Sequence, residues 1–184
     1  MLAACGSEET SNENANKDVE EATKEEVNKE SNVFESEIGK MTILYQNEDL
    51  NMSIESGSVK GTLNSIQYAT MEPNPDNLFA FNDGETVTLI TIDATVENTA
   101  DSNVSFYPDQ ATLVTDTGQE IEADSSLSDA VGGDFVGTAK KEGSIQWVLK
   151  HDENIKKVTL HISGAVNENF NGLSEDLKLE IPFE

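Results

Sequence analysis

Thr86-Val-Thr-Leu-Ile-Thr-Ile-Asp-Ala-Thr-Val-Glu-Asn98 decides the fold. Ile90, Ile92, Ala94 and Val96 share one parity; Thr91, Asp93, Thr95 and Glu97 share the other. Period-two alternation in β-branched residues is the pattern of a strand with one buried face. Asn82-Asp-Gly84 before it and Asn98-Thr-Ala-Asp-Ser102 after it are turn formers. A strand of this kind needs a second layer over its apolar side.

Three later segments can supply that layer. Ser144–Lys150 alternates through Ile145, Trp147 and Leu149; Lys156–Ser163 through Val158, Leu160 and Ile162; Leu177–Phe183 through Leu177, Leu179, Ile181 and Phe183. The pattern predicts an all-β fold, a two-sheet antiparallel β-sandwich of about seven to nine strands. Trp147 is expected in its core. Weaker signals fill in the rest. Met41–Tyr45 and Leu50–Ile54 read as an edge hairpin. Ser58–Met71 reads as a long strand with a bulge near Gly61 or at Asn64-Ser65, because Val59, Leu63 and Tyr68 do not keep one parity. Glu72–Asn77 carries two prolines and reads as a loop. Asp116-Thr-Gly118 reads as a hairpin turn between Ala111–Thr115 and Gln119–Ile121. Glu122–Asp134 reads as a polar loop that Gly132-Gly133 makes mobile.

The N-terminal stretch Leu2-Ala-Ala-Cys-Gly-Ser7 resembles the lipobox of bacterial lipoprotein signals. The resemblance implies a diacylglyceryl group on the sulfur of Cys5 and cleavage just before it. A basic region and an apolar region should precede Leu2, and only Met1 does; the expectation is a truncated sequence or a start codon placed too late. Acidic residues outnumber lysines by 11 to 4 across residues 1–40. Apolar residues are sparse there, so the segment buries too little surface to offset its ordering entropy. The expected division is a signal remnant at 1–6, a disordered acidic tether at 7–40 and a sandwich at 41–184.

The whole chain carries 36 acidic residues against 11 lysines and no arginine, a formal net charge of −25. Phosphate contacts need clustered cations, so nucleic acid is excluded as a partner. Docking on anionic lipid through a basic face is excluded for the same reason. Cys5 is the sole cysteine, so no intrachain disulfide forms.

Val87–Asn98 running into Val-Glu-Asn-Thr99, Phe106-Tyr-Pro108, the Leu113-Val-Thr-Asp-Thr-Gly118 hairpin and Lys141-Glu-Gly-Ser-Ile-Gln-Trp147 resemble a family. It is the uncharacterised immunoglobulin-like extracellular domain of Gram-positive bacterial lipoproteins, and the likeness spans about residues 58–184. The resemblance implies a lipidated signal, a spacer and one sandwich, with no catalytic residue. The Cys…Trp…Cys spacing of antibody domains is missing.

Nucleophilic catalysis needs a serine or cysteine beside a histidine and an orienting acid. Cys5 is committed to the anchor. His161 sits on the outward parity of its strand, and His151 opens a turn. No catalytic set, metal site or cofactor is therefore expected. Asp124, Asp129 and Asp134 share one loop, and Asp76, Asp83 and Glu85 lie near another, without the glycine-bearing pattern of a calcium loop. Candidate binding residues are Tyr107, because one of Phe106 and Tyr107 must face outward, and Asp134 and Phe135 in a possible recognition loop. The sequence reads as a surface lipoprotein, held to the membrane by lipid on Cys5. Its sandwich is a non-catalytic binding or structural module for an envelope protein, peptide or wall polymer. Two alternatives stand beside it: a calcium-dependent or hydrolytic envelope protein, and an acidic surface protein for salt or stress adaptation.

Overall fold

The structure is a computed structural model and describes residues 32–183. The decisive stretch forms β5 (Val87–Asn98), an inner strand of a six-stranded sheet. β4 (Val59–Pro73) pairs along one side and β10 (Ala139–Lys150) along the other, both antiparallel. The bulge expected in β4 falls between Leu63 and Ser65. It lets Val59 and Leu63 share the buried face with Ile66 and Tyr68.

β2 (Gly39–Asn47) and β3 (Met52–Ser56) do not form the expected hairpin with each other. β4 is fifteen residues long and takes both end to end on its far edge. β2 runs beside Ile66–Pro73 and β3 beside Val59–Leu63. β1 (Val33–Glu35) pairs with β2, and β2 itself begins at Gly39. Side chains contribute little there, since Val33 and Phe34 stay exposed. Backbone pairing and the amides of Asn74 and Asn77, which both donate to Glu37 O (2.9 and 3.0 Å), hold the segment instead.

The second layer has two parts. One is a four-stranded sheet, β13 (Leu177–Pro182), β11 (Lys157–Ile162), β7 (Thr112–Thr115) and β8 (Glu120–Glu122) in that order. The other is a three-stranded sheet, β12 (Val166–Asn167), β6 (Val104–Phe106) and β9 (Gly133–Phe135). Every pairing is antiparallel. Gly118 turns between β7 and β8 at φ 94°, where any other residue would be strained. Ile90, Ile92 and Trp147 from the large sheet pack with Phe106, Leu113, Phe135 and Leu160 from the second layer. The indole N–H of Trp147 donates to Ala111 O at 3.0 Å, so its one polar atom is satisfied inside the core.

Val87 and Leu89 break the inward parity of β5 yet are buried. With Met71 and Val148 they form a smaller cluster on the outer face, covered by Phe81 of the 3-10 helix Pro75–Phe81. The N-terminal end of β5 is thus buried on both sides.

The segment expected to be a mobile loop at 122–134 has a structural role. Ser128 Oγ accepts from Gln146 N (2.9 Å), and Asp129 Oδ2 accepts from Ser144 N (2.9 Å). Asp124 N and Asp129 N donate to Gln146 O and Ser144 O, each at 2.8 Å. Together they satisfy the open edge of β10, which would otherwise invite another strand. Gly143 allows this approach: a Cβ there would lie 2.5 Å from that of Asp129. The segment then ends in β9, so Phe135 belongs to a strand and not to a loop.

Candidate functional site

The three-stranded sheet turns Val104, Phe106 and Phe135 inward, and its other face looks out. Ser105 of β6 stands opposite Asp134 of β9 and Val166 of β12. This row floors a groove of about 550 Å³ whose walls include Tyr107, Val136, Glu168 and Phe170. A second hollow of about 480 Å³ adjoins it, sharing Asn103, Val104, Asn167 and Glu168 and also lined by Asp101 and Leu173.

The floor is set by hydroxyls. Ser105 Oγ donates to Asp134 Oδ1 at 2.6 Å and Tyr107 Oη donates to the same oxygen at 3.2 Å. The Ser105 hydroxyl, then that of Tyr107, holds the Asp134 carboxyl below the usual carboxylate range, and the ammonium of Lys141 adds to this. The Tyr107 phenol moves the opposite way, raised first by desolvation and then by the bond to Asp134. Lys141 lies beneath, bonded to Gly132 O and 4.8 Å from the centre of the Phe135 ring. Among the described residues Asp134 Oδ2 has no hydrogen-bond partner, and Asp134 is an exposed residue of the groove lining.

The rim is held by turns. Asn167 Oδ1 accepts from the backbone N–H of Asn169 and Asn171, both at 3.0 Å, while Phe170 N donates to Asn167 O at 2.8 Å. This side-chain-built turn leaves Phe170 86% exposed at φ 59°. Positive φ is a genuine outlier for an aromatic residue. Across the groove Val136 is 77% exposed. At the end of the groove, buried Asn98 donates to Ala100 O, Ser102 O and Gly137 O, and accepts from Ser58 Oγ at 2.7 Å. It ties the chain entering β6 to the chain leaving β9, so the two strands under the groove share one anchor.

Of the three binding candidates, the structure brings Tyr107 and Asp134 into contact. Tyr107 is 39% exposed and Phe106 is buried, as their adjacency requires. Phe135 is fully buried, with its ring in the core beneath the groove that the residue helps to line. Val136, one residue on, is the exposed neighbour. Cys5 lies outside the described residues. Sequence reasoning missed Ser105, Phe170 and the two turn-building asparagines; an aromatic inside Asn167-Glu-Asn-Phe-Asn171 was the available signal.

His151 and His161 are exposed and lie apart from the groove, His151 within 3.8 Å of Glu153. Asp124 accepts from Ser126, Asp129 from Ser144 and Asp134 from Ser105, so the three aspartates of that segment serve three separate donors. Among the described residues no group of three His, Cys, Asp or Glu side chains is placed to hold a metal ion, and no helix is long and apolar enough to cross a membrane.

No family model matches the chain. It is 32% identical to the SPbeta prophage-derived uncharacterized lipoprotein YonS of Bacillus subtilis (strain 168). The alignment of 140 residues covers 71% of this chain and 69% of the relative. The chain belongs to the YonS lipoprotein family. That membership agrees with the lipoprotein reading of Leu2–Gly6. A functionally unknown protein from Listeria monocytogenes EGD-e superposes with a TM-score of 0.61 at 12% identity, over 79% of this chain and 89% of its own. The yjhA protein from Bacillus subtilis does so with a TM-score of 0.50 at 15% identity, over 75% and 100%. At these identities the likeness shows that the YonS-family chain shares their fold.

Proposed function

We propose that this YonS-family lipoprotein is a non-catalytic binding module, held at the outer face of the cytoplasmic membrane by acyl chains on Cys5. The acidic stretch ahead of β1 sets it off from the bilayer. One acyl chain binds a membrane marginally, whereas two or three hold firmly, at about 0.8 kcal/mol per buried CH₂. The groove on the three-stranded sheet is the surface it presents to an envelope partner.

The observation that carries this reading is how the groove is furnished. Two apolar side chains stand exposed at its rim, and the hydroxyls at its floor are spent on a carboxylate. Ser105 has no histidine to take its proton, and both histidines lie elsewhere. Such a set can orient a ligand but has no activated nucleophile.

Two measurements test it. In the native host, a clickable palmitate analogue should label the protein, and Cys5→Ala should lose the label and appear in the medium. Photo-crosslinking from position 136 on intact cells should give one discrete adduct, reduced by Phe170→Ser. Retention of Cys5→Ala at the membrane, or absence of any adduct, would refute the anchor and the binding role respectively.

A further inference from the structure

We infer that the groove takes a basic, apolar-flanked peptide segment in extended form. The inference rests on the groove being a binding surface and adds the chemistry of its occupant.

Charge decides the sign. Asp101, Asp134 and Glu168 line the two joined hollows, and no lysine or histidine does. The domain around them is strongly acidic, so the field at the groove is negative and focuses cations there. Asp134 is kept ionised by two hydroxyls that both bind Oδ1, which leaves Oδ2 without a hydrogen bond among the described residues. That oxygen suits a lysine ammonium or an arginine guanidinium. Tyr107 and Phe170 add ring faces, against which a cation is also favourable. The same charge opposes a second copy of this chain, an anionic polymer or a lipid phosphate as the occupant.

Shape decides the class. The two hollows share Asn103, Val104, Asn167 and Glu168 in their linings and together offer far more room than one ammonium group needs. Val136, Val166 and Phe170 line one hollow with Asp134, Leu173 lines the other with Asp101, and Glu168 lines both. Alternate side chains of an extended peptide would meet apolar and acidic surface in turn. A small organic cation would fill one part and leave Val136 and Phe170 in water.

The test uses the full chain and three synthetic pentapeptides, blocked at both ends: alternating lysine and leucine, alternating lysine and glycine, and alternating glutamate and leucine. Binding is followed by fluorescence anisotropy and by amide NMR shifts. The lysine–leucine peptide should bind saturably and shift the amides of Ser105, Asp134 and Phe170. Asp134→Asn and Phe170→Ser should each weaken it by about fivefold or more, and Asp93→Asn, an exposed acid on the opposite face, should not. Added salt should weaken binding without abolishing it. Equal binding of the lysine–glycine peptide, or equal loss with Asp93→Asn, would mean nonspecific charge attraction and overturn the inference. Saturable binding of the glutamate–leucine peptide at the groove would overturn the occupant while leaving the binding role intact. No amide shift with any peptide would overturn the occupant too, and the crosslink from position 136 then decides whether the groove binds anything.

Discussion

The two outward faces of the sandwich each carry an aspartate that accepts two hydroxyls. On the large sheet, Asp93 of β5 receives Ser65 Oγ from β4 at 2.7 Å and Ser144 Oγ from β10 at 2.5 Å. On the small sheet, Asp134 receives Ser105 and Tyr107. Asp93 uses both oxygens, one for each serine, in the middle of a broad sheet flanked by Thr91 and Thr95. Asp134 uses one oxygen for both donors, and exposed Val136 and Phe170 stand over it. A hydroxyl-clasped acid is therefore not itself a site. What distinguishes the second is a spare acceptor at the bottom of a concave surface with uncovered apolar walls.

The contrast can be broken or sharpened by substitution. The largest effect is expected beneath the groove: Phe135→Ala should lower unfolding free energy by about 3–5 kcal/mol, read by denaturant titration, because a fully buried ring leaves a cavity. A small loss would mean that the floor is not built on the core. Asn98→Ala should follow at about 2–3 kcal/mol, since it leaves several turn carbonyls without a donor. It should also disturb amide shifts of the groove and leave those around Asp93 in place. Phe170→Gly should move stability the other way, up by about 0.5–1 kcal/mol, because glycine accepts positive φ without strain. A destabilised Phe170→Gly would show that the ring packs and is not held out for a partner.

The smallest effect is a titration. The folded-state pKa of Asp134 lies below its unfolded value, so its contribution to stability is complete above the usual aspartate pKa of about 3.9 and is lost as pH falls through the folded value. Carboxyl NMR should find Asp134 titrating below that value, and Ser105→Ala should move it up. A normal titration in the parent protein would remove the hydroxyl clasp on Asp134 Oδ1.

β5, β10, β11 and β13 were legible because each has one wet face, and alternation records that directly. Tyr107 was legible for the same reason, since adjacent residues on a strand cannot both face inward. Alternation does not register Val87 and Leu89, whose second buried face depends on Phe81 arriving from a separate helix. It also fails for β9, which is three residues long and begins on the second of two glycines. Only its pairing with β6, some thirty positions earlier, turns Asp134 out and Phe135 in. The tandem seating of β2 and β3 was hidden too, because local turn signals favour pairing neighbours and say nothing of a third strand long enough for both. Phe170 reads as a turn residue by its neighbours, and its exposure follows from the hydrogen bonds of Asn167, which spacing does not encode.

β5 gains β4 from the preceding chain but gains β10 only after residues 99–138 have been made. A polypeptide threaded N-terminus first through a translocation pore would thus emerge with its central ribbon half-zipped, one flank bare, while the later segments were still in transit. Distant pairing slows folding, and bare flanks recruit neighbouring chains. Tethering each molecule to its own patch of bilayer, together with strong mutual repulsion, would keep such neighbours apart during that interval.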